Sequence, residues 1–344
     1  MMGYVSIRTL RIWPQISRSR RMFWLTVFLV VAASSAAVES VLGQAEWPDR
    51  PVTLLVPYPA GSAADALART LVRPLRESLG QTFVIENRPG ADGMIAGRDA
   101  ARSEPNGYTQ YFGVTTSLSL AYNLQPNLGF DPRKDFAPVS MVGRTAYLLI
   151  VNSALGVSSI PELVALARSK PGSLNYSSTG EGSIAHLGML VLAKKLGIEM
   201  THIPYKSTAQ SIIDVASGVI QLQLATISPT IPLYQAGKVR ILGVASDRRT
   251  PLLPDVPTLQ EQGVSDFQAT FSMGLFLPAG SPEVVVKRLN QAVGAALVDP
   301  AVQKSYFQQG VEPKASSPAD LGKYLAAEIE TYRQVIAENG IKIQ

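Results

Sequence analysis

The 344-residue chain contains no cysteine, which excludes disulfides, thiolate metal sites and a lipid-modified cysteine anchor. Histidine is almost as scarce: His186 and His202 stand alone, too few and too far apart in sequence to make a metal site. A surplus of one charge sign is missing as well. Of the 31 basic and 26 acidic residues, Arg8, Arg11, Arg18, Arg20, Arg21 and Glu39 precede residue 46, leaving 26 against 25 and a net of +1. The formal +5 of the whole chain therefore belongs to its N-terminus, and a nucleic-acid partner loses its compositional support. The apolar stretch 23–33 falls short of the roughly 20 residues that a membrane-spanning helix needs. No G-x-S-x-G elbow occurs, and the loop 88–93, RPGADG, lacks the lysine and the glycine density of a phosphate-binding loop.

What is present fits an exported globular protein. The length suits two domains, and 46% hydrophobic with 17% charged residues suits a large soluble core. Residues 1–45 read as a cleaved export signal: an arginine-rich start, the apolar stretch, then small residues to Gly43-Gln44-Ala45. Ser19-Arg20-Arg21-Met22-Phe23-Trp24 fits the twin-arginine export pattern, and fits equally an ordinary secretory start that holds two adjacent arginines. The expected compartment is the periplasm.

Beyond Trp47, short β-rich runs alternate with Ala/Leu-rich helical ones. The pattern predicts strands at 52–56, 83–86, 109–113, 139–142, 147–151, 175–177, 202–203, 222–225, 240–245 and 274–277. Helices are expected at 62–79, 94–102, 160–168, 183–196, 208–217, 229–236, 282–298, 301–309 and 318–339. Alternation of this kind implies an α/β fold of mainly parallel sheets with helices on both faces. Pro161 and Pro282 suit first-turn positions, with Ser159 and Ser281 as caps. Val56-Pro57-Tyr58 and Ile203-Pro204-Tyr205 echo each other, each running into a polar turn and a helix bearing an aspartate, Asp65 or Asp214. The echo suggests two lobes of similar construction facing a cleft.

The segment 51–71, PVTLLVPYPAGSAADALARTL, is an apolar strand, a Pro-Tyr-Pro corner, a small-residue turn and a helix. It aims a helix N-terminus at the carboxyl edge of a strand, an arrangement that favours an anion. Asp65 can hold this turn by accepting backbone N–H groups or touch an amine on a ligand, and the first role is the one expected. The segment 175–186, NYSSTGEGSIAH, offers a second such edge with Ser177, Ser178, Thr179 and Ser183 as hydroxyl donors. Gly180-x-Gly182-x-x-Ala185 matches a dinucleotide fingerprint, but the next strand ends in Ile203-Pro204-Tyr205-Lys206, without the acid that would hold a ribose. Ser183 and His186 lie one helical turn apart, yet no acid is placed to orient the ring as in a hydrolytic triad. His186 is expected to pack under the turn or donate to a ligand, and His202 to sit in the core. Tyr58 and Tyr205 suit ring walls with a hydroxyl at strand ends, and suit equally core rings with a wet tip; Thr115, Thr116 and Ser117 suit a hydroxyl-lined rim.

VPYPAGSAAD is similar to VPFPPGGGTD, and VIENRPGADGMIAG to VVENRPGAGGNIG, strings of the Bug or TctC-like receptors of tripartite tricarboxylate transporters. The resemblance extends in order through PNGYT at 105–109, DFAPV at 135–139, Tyr205-Lys206, AGK at 236–238, LPDVPT at 253–258 and PAG at 278–280. It implies a two-lobed periplasmic-binding-protein fold of the type II, Venus-flytrap kind, closing on a small carboxylate. The lobes would be 46–148 plus 271–344, and 149–270. By position, the first would offer Tyr58, Gly61, Ser62, Ala63, Asp65 and Thr116, and the second Ser178, Gly182, Ser183, His186, Tyr205, Ala225 and Thr226. The chain departs from the family strings where Ser62-Ala63-Ala64 replaces Gly-Gly-Thr, where Gln221 replaces an aspartate, and where Ala225 lacks a polar neighbour. These losses disfavour an amino-acid ligand and suit a plain mono- or dicarboxylate. The implied protein is a monomeric receptor without catalytic residues, cofactor, metal or nucleic-acid partner, feeding membrane transporter subunits. A sensor delivering its ligand to a signalling partner, and a hydrolase using Ser183 and His186, are the alternatives.

Overall fold

The computed structural model describes residues 47–205 and 208–340, so the expected export signal and Lys206 lie outside the described residues. From Arg50 onward the described residues cluster as one compact unit. Among the described residues, eleven strands and ten α-helices follow in order. They are β1 (Val52–Val56), α1 (Ala63–Leu79), β2 (Phe83–Asn87), α2 (Met94–Ala101), β3 (Thr109–Val114), α3 (Thr115–Leu124), β4 (Phe136–Ala146), β5 (Leu148–Asn152), α4 (Ile160–Ser169), β6 (Asn175–Ser178) and α5 (Ile184–Leu196). Then come β7 (Thr201–Pro204), α6 (Thr208–Ser217), β8 (Leu222–Ala225), α7 (Ile227–Gln235), β9 (Val239–Val244), β10 (Thr270–Pro278), α8 (Glu283–Leu297), α9 (Pro300–Gln308), β11 (Glu312–Pro313) and α10 (Pro318–Asn339).

The strands form two sheets, ordered β11-β4-β10-β3-β1-β2 and β7-β6-β8-β5-β9, which with their flanking helices make a two-lobed α/β fold. Both sheets are mixed rather than mainly parallel. The parallel runs are β2-β1-β3 and β7-β6-β8, whereas β10 and β5 lie antiparallel to both of their neighbours. The reason lies in how the chain changes sheet. Tyr147 alone separates β4 from β5, and the chain returns where Ala269 leads into β10. The two crossings are bonded side by side, Tyr147 N–H to Ala269 C=O at 2.9 Å and Ala269 N–H to Ala245 C=O at 2.9 Å. Strands that carry the chain out and back must run in opposite directions.

Local chemistry accounts for most of the elements. β1 buries Leu54 and Val56 on one face and Leu55 on the other, as a strand covered on both faces requires. Leu67, Leu71 and Leu75 recur every four residues on α1 and are all buried, each contributing about 1.5–3 kcal/mol by leaving water. In β5, Leu148 and Ile150 join one apolar cluster while Leu149 and Val151 join another, so both faces of the second sheet are covered. The first lobe's core stacks Tyr111 on Phe136 at 5.5 Å and receives Leu321, Leu325 and Ile329 from α10. Ser159 caps α4 as expected, with Pro161 in its first turn. Ser281 does not cap α8: its hydroxyl donates to Pro278 C=O, and Pro282 holds the cap position without a side-chain bond. α3 was not expected, because Val114 at its N-cap supplies no side-chain cap.

Candidate functional site: two matching helix-start turns

The turn between β1 and α1 is assembled from its own sequence. Gly61 holds φ +81°, a left-handed value that glycine adopts without strain. Its N–H donates to Asp65 Oδ2 at 2.9 Å, and Ser62 Oγ accepts from Asp65 N–H at 3.3 Å as the N-cap. Asp65 is 2% exposed and further accepts from Arg69 Nε and from Asn87 Nδ2, at 2.9 and 3.0 Å. The Arg69 hydrogen bond, with those of Gly61 and Asn87, lowers its carboxyl to about 2 against the opposing effect of burial. Asp65 is thus the keystone of the turn, as expected. Ala66 N–H closes the first intrahelical bond on Ser62 C=O. Among the described residues, the amides of Ala63 and Ala64 have no partner, which leaves two donors at the positive end of α1.

The turn between β6 and α5 repeats this arrangement. Gly182 holds φ +75° and donates its N–H to His186 Nδ1 at 3.0 Å. Ser183 caps α5 by accepting from His186 N–H at 3.3 Å, and Leu187 N–H bonds Ser183 C=O. The amides of Ile184 and Ala185 have no partner among the described residues. Gly61-Ser62-Ala63-Ala64-Asp65 and Gly182-Ser183-Ile184-Ala185-His186 are therefore two copies of one device. Each starts the helix that follows a strand flanked by two parallel neighbours. The Val-Pro-Tyr and Ile-Pro-Tyr echo is misplaced, because β7, which carries Ile203, is the edge strand beside β6 and corresponds to β2.

Behind the second turn, His186 stacks on His202 at 4.1 Å between ring centres, and His202 on Tyr176 at 5.1 Å. His202 Nε2 lies 2.7 Å from Ser178 Oγ. Burial, then the neighbouring His186, lowers His202 to about 4, and burial lowers His186 as well. Both rings are neutral at neutral pH, and His186 Nδ1 must be unprotonated to accept from Gly182. Ser183 Oγ donates to Gly180 C=O at 2.8 Å. With both side chains committed to the turn, no Ser–His nucleophile is assembled.

The structure disperses other expected residues. Thr115, Thr116 and Ser117 are buried in the first turn of α3 rather than lining an open rim. Thr116 Oγ1 lies 2.8 Å from Glu328 Oε1 and 3.2 Å from Thr270 C=O. Ser178 and Ala225 are buried, and Ser177 Oγ is buried without a partner. Thr226 occupies the N-cap of α7 without a side-chain cap bond. Tyr205 donates its hydroxyl to Asp214 at 2.6 Å, and burial followed by that carboxylate pushes it up to about 12. Tyr58 remains half-buried beside the first turn, its hydroxyl donating to Asp92 Oδ1 at 3.1 Å.

Sequence reasoning missed two carboxylates. Glu328 on α10 accepts from Thr116, Ser119 and Tyr324 at 2.8, 3.0 and 3.3 Å, and burial raises its carboxyl despite these bonds. Asp92 was read only as part of a connecting loop. A separate crevice with an empty volume of about 380 Å³ is lined by Arg144, Arg248 and Arg249 among others. Its guanidinium groups already face Asp247, Glu312 and Glu261. Among the described residues, no group of His, Asp or Glu could hold a metal ion, and no helix is long and apolar enough to cross a membrane.

Two mixed sheets, a paired crossing and a helix N-terminus at the end of one inner parallel strand in each define a two-lobed solute-binding protein. Residues 67–341 match the tripartite tricarboxylate transporter family receptor, TctC, and the chain belongs to that family of solute-binding receptors rather than to an enzyme family. It is similar to R. palustris Rpa4515 solved with adipate: 34% identity, TM-score 0.76, covering 86% of this chain and 99% of that one. It is also similar to MatC from Rhodopseudomonas palustris with bound malate, at 30% identity and TM-score 0.72, covering 84% and 100%. The periplasmic binding protein BugD matches at 30% identity and TM-score 0.72, covering 87% and 100%.

Proposed function

We propose that this chain is a periplasmic receptor that captures a small carboxylate between its lobes and delivers it to membrane transporter subunits. The observation that carries this reading is the repeated Gly-Ser turn, which leaves two unpaired amides at each of two helix starts, α1 and α5. Amides at a helix start favour a carboxylate through hydrogen bonds and the helix dipole. Similar proteins solved with adipate and malate support the ligand class. In this reading 46–148 with 271–344 move as one body and 149–270 as the other, about the crossing at Tyr147 and Ala269. Tyr58, Gly61, Ser62, Ala63, Asp65 and Thr116 form or brace one jaw. Ser178, Gly182, Ser183, His186, Tyr205, Ala225 and Thr226 form or brace the other.

The test is a thermal-shift screen of the purified protein against small carboxylates, with sugars and simple amines as controls. A ligand at 100 times its dissociation constant stabilises by about 2.7 kcal/mol. A clear shift with at least one carboxylate is expected; shifts with sugars or amines only would overturn the reading.

A further inference from the structure

Asp92 lies in a three-residue 3₁₀ turn, Ala91–Gly93, between β2 and α2. Its backbone is left-handed, at φ +49° and ψ +40°, and Ala91 before it is left-handed too, at φ +47°. Side chains rarely occupy that region, although Asp and Asn tolerate it best. The string VVENRPGAGGNIG has glycine at this place, so this chain puts a carboxylate where none is needed to make the turn. A backbone outlier that carries a charged group invites a functional explanation.

The carboxylate is aimed by its neighbours. Tyr58 donates to Oδ1 at 3.1 Å from the corner that leads into the first jaw. Ser117, in the first turn of α3, is near enough to lower both the Asp92 carboxyl and the Tyr58 hydroxyl against the effect of burial. Gly93 is pressed on Pro57, where an added Cβ would come within 2.8 Å of the ring, and Tyr111 holds Gly93 C=O at 3.2 Å. Asp92 is thus fixed against the end of β1, from which the Gly61–Ser62 turn departs. Burial, and after it the charge of Asp92, raises the hydroxyl of Tyr147 at the crossing between the sheets. Asp92 is exposed, yet loss of hydration is the main influence raising its carboxyl. A carboxylate has about four acceptor positions, and Tyr58 fills one.

We propose that Asp92 selects the ligand class of the cleft: carboxylates that also carry a protonated amine, the acid end held at the helix-start amides and the ammonium on the free oxygen positions of Asp92. The inference rests on the carboxylate reading above. An acid in the first lobe supplies the partner that the second-lobe strand end at Ala225 lacks, and it reverses the expectation of a plain mono- or dicarboxylate. A dicarboxylate without an amine would bring a further negative charge beside Asp92 with no donor to offset it.

The test is isothermal titration of the purified chain with matched pairs at neutral pH: aspartate and succinate, glutamate and glutarate, 6-aminohexanoate and hexanoate. The amino member of at least one pair should bind tenfold or more tightly than its partner. Asp92→Asn, which keeps the shape and suits the left-handed backbone, should remove that preference while holding its unfolding midpoint. If the amine-free acids bind as well as or better than their partners, or if Asp92→Asn keeps the preference, the inference is overturned and the receptor reading stands. If no acid in any pair binds and the wider carboxylate screen is also silent, both fall.

Discussion

Asp65 and His186 occupy the same place in two copies of one turn, each accepting the N–H of a left-handed glycine four residues earlier. One is an anion held by a guanidinium and the other a neutral ring packed on a second ring, so acid undoes them in different windows. The Asp65 carboxyl is lowered to about 2 from an ordinary 3.8. It therefore stabilises the native state above pH 3.8, a contribution lost as pH falls toward 2. His202, behind His186, is lowered to about 4 from an ordinary 6.5. The unfolded chain takes up that proton more readily, so native stability declines as pH falls from about 6.5 to 4. Urea midpoints followed against pH should show both: His202→Gln flattens the loss between 6.5 and 4, and the deficit of Asp65→Asn at neutral pH closes as pH falls from 3.8 toward 2. Unchanged slopes would remove these groups from the account of the turns. At this scale the Asp65 role was legible because Ser62 and Asp65 flank a helix start in a readable order. The match between GSAAD and GSIAH was equally visible in the letters, but the Val-Pro-Tyr string drew attention to the wrong strand.

Among the elements, α10 joins most of the molecule together. It starts under the cap Ser317, buries Leu321, Leu325 and Ile329 in the first lobe's core, and then packs Tyr332 against the cluster that holds Leu149, Leu187 and Leu224. Near its far end Lys194 of α5 donates to Glu338 C=O at 2.8 Å. Glu328 lies midway, bonded to the first turn of α3 and, through Tyr324, to Ser272 of β10. Burial raises its carboxyl above the ordinary 4.5, so the native state gains from its proton at low pH and loses that gain as pH rises above 4.5. Glu328→Gln should therefore be at least as stable as the parent at pH 8, with its relative advantage shrinking toward pH 4, as read by thermal midpoints. A variant much less stable at pH 8 would show that the ionised carboxylate is required. The amphipathic pattern of α10 was readable; its buried acid was not, because a glutamate on a long helix reads by default as solvated. α3 escaped for a related reason. Thr115-Thr116-Ser117 carries no start signal and mixes β-branched with small polar residues, so it resembles a loop until tertiary packing decides.

For the whole molecule, alternation of strand and helix gave the α/β class, but it could not show that the strands carrying the chain between sheets run antiparallel to their neighbours. That depends on contacts between residues far apart in sequence, such as Tyr147 with Ala269. The same crossing makes a two-lobed clamp mechanically plausible, with few chain segments to bend and a helix start at each jaw. Two anion-friendly regions then compete on the molecular surface: the paired helix starts, with unpaired amides, and the arginine-lined crevice, whose guanidinium groups already face acids. A crystal structure of the protein with the carboxylate that shifts its melting temperature most decides between them. The expected result has one carboxylate group within hydrogen-bond distance, about 2.7–3.2 Å or through one water, of the Ala63–Ala64 or Ile184–Ala185 amides, with both turns facing the ligand. A ligand seated on Arg144, Arg248 or Arg249, with both helix starts facing solvent, would contradict it.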